Sequence, residues 1–181
     1  MTLEQEIGAL DKAEWTSWPH AYGKAGDTPG HLAALLGDDE AAQKSAAYHF
    51  QSAIVHQSSV WPASPDAFDW LIRVLRATSL PEPVLEKCLD ALAESAEYLG
   101  DIPTGTPVPE LSKGARKWLK KFAKTPDDEC ELLWGTDEKA EEETWQWVLV
   151  RMATLRPSVA ALVEELNGRA DVDAVRAAWL S

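Results

Sequence analysis

Histidines, cysteines and clustered carboxylates are the side chains here with chemistry to offer. The four histidines are His20, His31, His49 and His56. Only His49 and His56 fall in one expected helix. Seven residues apart, they share a face but stand two turns from each other, too far to hold one metal ion. No His-Glu-x-x-His and no Cys/His ligand pair occurs, so no metal and no cofactor are expected. Cys88 and Cys130 lack CxxC spacing. Cys88 sits on an apolar helical stripe and reads as a buried thiol. Cys130, among acids, should have a raised pKa, the wrong direction for a reactive thiolate. Neither a Gly-x-Ser-x-Gly elbow nor a Gly-rich phosphate loop is present. These residues point to no enzyme.

The carboxylates are more telling. Asp127, Asp128, Glu129, Glu131, Asp137, Glu138, Glu141, Glu142 and Glu143 follow one another with Lys139 as the sole cation among them. Over the 181 residues the net charge is −13. A chain this acidic repels phosphate backbones, which argues against nucleic acid, and attracts basic partners. Acidity that serves only solubility is the competing account. Trp61 stands in a loop between Val60 and Pro62, and Trp134 precedes a glycine beside the acidic run. Aromatic rings near charge are the composition of an interface anchor; rings folded over a helix end are the alternative. The expected partner-binding set is Asp127, Asp128, Glu131, Trp134, Glu138, Glu141, Glu142 and Trp61.

The elements that position these groups read as helices. Leu3, Ile7 and Leu10 mark a short lead helix. Residues 15–26 are broken by Pro19, Gly23 and Gly26, with Trp15, Trp18 and Tyr22 expected to cap the first repeat. Asp27 or Thr28 offers an N-cap ahead of Pro29; Leu32, Leu35 and Leu36 supply the stripe, and Gly37 stops it. An Ala-rich helix then runs from Asp38 to His56-Gln57, its first turn acidic as the helix dipole favours. Phe68, Leu71, Ile72 and Leu75 pair with Leu85, Cys88, Leu89 and Leu92 as a second helical hairpin. The Pro/Gly-rich stretch 100–109 joins two halves, 1–100 and 109–181, of one domain. Beyond it, Leu111, Ala115, Trp118, Leu119 and Phe122 face inward while Lys113, Arg116, Lys117, Lys120, Lys121 and Lys124 face out. Antiparallel return would set these cations opposite the acidic run. Trp145 to Met152, apolar nearly all round, is the most buried helix of the second half. Two short helices close the chain. No stretch alternates as a strand. Helix pairs recur at about 40 residues, a HEAT or armadillo period. The expected fold is all-α, a HEAT/armadillo-like stack of antiparallel helix pairs, with an irregular bundle as the alternative.

No apolar run reaches the roughly 18 residues of a membrane span, and the start lacks a secretory signal. A cytoplasmic protein is expected.

The segment His20-Ala21-Tyr22-Gly23-x-Ala25-x-Asp27-x-Pro29, with His56-Gln57 ending the next long helix, resembles the bacterial HEAT-like helical-repeat proteins. Some members of that family resemble immunity proteins encoded beside polymorphic secreted toxins. There the His-Gln pair precedes a glycine; Ser58 stands at that place here. The resemblance implies the fold and no particular site, since Gly23 looks like a bend, Asp27 a cap, and His56 and Gln57 a helix end. It implies a protein partner: an immunity (antitoxin-type) protein that occludes a basic toxin domain and so protects the producing cell. A general interaction scaffold or adaptor without a toxin partner is the alternative.

Overall fold

A computed structural model describes residues 2–10, 12–100 and 102–180. The chain is predominantly helical. In order come α1 (Leu3–Gly8), α2 (Lys12–Trp15), a hairpin of β1 (Pro19–His20) and β2 (Gly23–Lys24), α3 (Thr28–Leu36), and α4 (Glu40–His49). A π-helical turn (Phe50–Ile54) extends α4 and leads into a second hairpin, β3 (Val55–His56) with β4 (Ser59–Val60). The rest is α5 (Ser64–Ala77), α6 (Glu82–Glu94), α7 (Lys113–Lys124), a 3-10 segment (Asp127–Leu133), α8 (Glu138–Ala153), α9 (Arg156–Glu165) and α10 (Ala170–Leu180).

Several starts follow from local chemistry. Thr2 and Gln5 close a capping box on α1, and Asp39 accepts from the Ala41 and Ala42 amides at the head of α4. Ser112 and Asp137 cap α7 and α8 in the same way. Each side-chain oxygen satisfies amides that have no partner inside their own helix. Pro29, Pro65 and Pro157 occupy first-turn positions, where a missing N–H costs nothing.

One continuous core forms beneath these elements, with Trp118, Trp179, Phe50, Phe68 and Phe122 its largest fully buried side chains. α3 and α4 form an antiparallel pair, as the stripes require. The expected α5–α6 hairpin is corrected: α6 packs mainly on α10 and α4, whereas α5 packs on α9, α3 and α8. Extended backbone at Thr78 and Pro81 carries the chain away before α6 begins. The last helix therefore seals the first half, and the Trp179 indole donates to the Leu92 carbonyl at 2.6 Å. The Arg156 guanidinium donates to the carbonyls of Leu99, Ile102 and Trp179, tying the 100–109 linker to both halves.

Two short hairpins correct the expectation of no strands. Each strand has two residues, too few to show a period of two in sequence. The second pairs Val55 with Val60 and His56 with Ser59 around Gln57 and Ser58. Both turn residues have positive φ, 50° and 63°, the signature of a type I′ turn. The Ala-rich helix thus ends at His49 and its π-turn, and His56 lies in a strand, not at a helix end.

Candidate functional site

The first hairpin is held by backbone bonds on both sides. Ala21 N–H donates to the Ala53 carbonyl at 3.0 Å, and Ala63 N–H donates to the Pro19 carbonyl at 3.1 Å. Gly23, at φ 131°, makes the bend that an L side chain would strain. This placement drops His20 onto the start of α3 and the end of α4. The Asp27 side chain makes no cap bond to α3. The expected cap is corrected, because the carboxylate turns to two histidines instead.

His20 Nδ1 accepts the Tyr22 N–H at 3.2 Å. Neutral imidazole carries one proton, so that proton sits on Nε2, which donates to Asp27 Oδ1 at 3.3 Å. Asp27 Oδ2 lies 3.8 Å from His49 Nδ1. His49 Nε2 bonds Thr28 Oγ1 at 3.0 Å. The His31 ring stacks on His49 at 4.1 Å, and His20 meets His49 edge-on at 5.5 Å. His20 and His49 are 5% and 7% exposed, while the Asp27 side chain is 54% exposed.

Burial pushes the His49 pKa down to about 3; His31 and His20 add to the fall and Asp27 opposes it. Burial lowers His31 as well. Burial alone would raise Asp27, but the His20 hydrogen bond and the charges of His49 and His20 outweigh it and hold the carboxyl at about 2. At neutral pH Asp27 is therefore ionised and His49 neutral. His20 offers no free lone pair for general-base work, since one nitrogen donates and the other accepts.

These groups line a cleft of about 720 Å³. Tyr22 and Tyr48 flank it, each 62% exposed, and the Tyr22 hydroxyl bonds His56 Nδ1 at 3.2 Å. At the rim Lys24 Nζ pairs with Asp127 Oδ1 at 3.4 Å.

Asp127 begins the acidic flank, so the expected partner-binding residues adjoin the cleft. Asp128, Glu131, Glu138 and Glu142 are exposed and form no ion pair among the described residues. Glu141 is engaged locally, accepting from Gly135 N–H at 3.0 Å and Asp137 N–H at 3.3 Å. Trp61 and Trp134 are half-buried against each other, ring centroids 5.1 Å apart, and Trp134 also meets Trp118 and Phe122. They are packed over the core and not free-standing. Leu132, 73% exposed, takes the exposed apolar position instead.

The expected opposition of α7 cations and α8 acids is also corrected. The helices pack through buried Ala115, Trp118 and Phe122 on α7 and Ala140, Thr144 and Val148 on α8. Their charged faces point outward, and no α7 cation has an ion pair among the described residues.

Both cysteines are poor nucleophiles. Burial drives Cys88 up to about 12; burial and then the nearby acids Asp127 and Asp128 raise Cys130, partly offset by Lys24.

Comparison of histidines within single helices missed the cluster, because it is assembled across β1, the Asp27 turn, α3 and α4. A usable signal was present. Thr28 and His49 lie at comparable distances on either side of the Gly37–Asp39 turn, which brings them level in an antiparallel pair. Among the described residues no helix is long and apolar enough to cross a membrane. Against protein-family models, characterised proteins and solved structures, the chain has no match.

Proposed function

We propose that the protein is a cytoplasmic immunity protein, a HEAT-like helical module that binds a basic secreted toxin domain and occludes its working face. The carrying observation is the unpaired acidic flank. Four of the chain's arginines are engaged elsewhere: Arg73 with Glu6, Arg76 with Glu165, Arg151 with Asp66, and Arg169 with Glu82 and Asp171. Asp128, Glu131, Glu138 and Glu142 are left to solvent, as is Leu132 within the same acidic run. Such a surface suits a cationic partner, with carboxylates steering approach and Leu132 offering an apolar contact. The resemblance of the His20–Pro29 and His56-Gln57 segments to HEAT-like immunity proteins adds support.

The immobilised full chain should capture a basic domain from its native host, and co-expression should relieve that domain's toxicity. The E138K/E142K double variant should slow association about tenfold at low salt. A captured partner that is harmless alone would make the protein an adaptor. Unchanged association kinetics in the double variant would remove the flank from the interface.

A further inference from the structure

We propose that His20 Nε2, the Asp27 carboxylate and His49 Nδ1 form a binding site for a divalent first-row transition-metal ion of the zinc class, open to the cleft. The three donor atoms come from three separate elements and all lie within 4.8 Å of one another. A tetrahedral ion with ligands at about 2.0–2.1 Å spaces its donors about 3.3 Å apart. His20 Nε2 lies 3.3 Å from Asp27 Oδ1 and His49 Nδ1 3.8 Å from Asp27 Oδ2, and with every donor pair within 4.8 Å a closure of about 1.5 Å or less completes the set.

The surroundings suit a cation. His49 Nε2 is held by buried Thr28 Oγ1, the kind of outer contact that orients a ligating imidazole. With that proton on Nε2, the Nδ1 lone pair faces Asp27, and Nδ1 makes no hydrogen bond among the described residues. Among the described residues the one lysine lining the cleft is Lys24, which pairs with Asp127. Two imidazoles and one carboxylate form a donor set of intermediate softness, better matched to zinc-like ions than to calcium or magnesium. The exposed side of Asp27 leaves room for water in the remaining positions. One feature opposes binding. Ligation through His20 Nε2 moves its proton to Nδ1, where it meets the Tyr22 N–H. Losing that bond weakens affinity by roughly tenfold, a small loss against the many decades by which such donor sets bind zinc. The rival account is a purely structural polar network pinning the hairpin, and it predicts no uptake.

The full untagged chain, stripped with chelator, is titrated with Zn²⁺ by calorimetry and with Co²⁺ by visible absorption. Saturation at one ion per chain is expected, with the intense bands of a four- or five-coordinate Co²⁺ site. D27A and H49A should abolish it, and T28V should weaken it by about 10–100-fold. H56A, outside the donor set, should leave it intact. In the unmodified chain, Zn²⁺ should move the ring resonances of His20 and His49 far more than those of His56, a readout independent of any variant's folding. Absent saturable binding, binding that survives H49A, or shifts centred on His56 would overturn the proposal. Such a failure leaves the acidic-flank reading standing, since Asp128, Glu131, Glu138 and Glu142 take no part in this site.

Discussion

Replacing Ser58 by glycine should stabilise the protein. Ser58 is the second central residue of the β3–β4 turn, at φ 63°, directly after Gln57 at φ 50°. An L residue in the left-handed region costs about 1–2 kcal/mol, and a two-residue type I′ turn prefers glycine at this place. Glycine avoids that strain but loses more backbone entropy on folding, about 0.5–1 kcal/mol. The balance favours Ser58→Gly by about 0.5–1 kcal/mol, or a Tm rise of about 1–4 °C for a chain of this length. The Ser58 N–H donates to Glu94 Oε1 at 2.8 Å, and glycine keeps that donor. Urea melts and calorimetry at neutral pH are the assay, with Ser58→Val as the opposite control. Valine is β-branched and should cost about 2 kcal/mol at positive φ. A Ser58→Gly variant no more stable than the parent, or a Ser58→Val variant equal to it, would refute the turn geometry and with it the placement of His56.

Arg156→Met should destabilise by about 3 kcal/mol in urea melts, because the carbonyls of Leu99, Ile102 and Trp179 lose a charged donor together. Leu132→Ser should leave the melt within about 0.5 kcal/mol yet weaken partner binding about tenfold in calorimetry. Both cysteines should resist iodoacetamide in the native chain at pH 8 and react on unfolding, as read by mass spectrometry.

Helix positions were readable wherever one stripe met one buried face. The Phe68–Leu75 run forms the inner side of α5 and the Ala115–Phe122 run that of α7, because a 3.6-residue period leaves few other solutions. Partners were not readable in the same way. The stripe of α6 says that it must be covered, not that α10, from the far end of the chain, will cover it. The acidic run was visible as charge, but its orientation depended on which face of α8 carried Thr144 and Val148 inward. Trp61 and Trp134 show the limit for aromatics: each is flanked by turn residues, and only the fold decides that they meet each other. His20 and Asp27 share a sequence motif, but their joint chemistry depends on His49, which comes from another helix.

The His20–Pro29 segment and His56-Gln57 share one junction, and the π-turn explains why they must. A regular α-helix would hold the Ala53 and Ile54 carbonyls in its own ladder. Widening at Phe50–Ile54 and exit into β3 leave them free. Ala21 N–H takes the first, and the Ser64 hydroxyl takes the second at 2.5 Å. The first hairpin can then dock, which seats His20 against Asp27 and brings the Tyr22 hydroxyl to His56. Its outer strand carries Lys24 to Asp127. The cleft and the acidic flank consequently share a wall, and a partner seated along Asp128–Glu142 would touch the cleft rim at its first carboxylate.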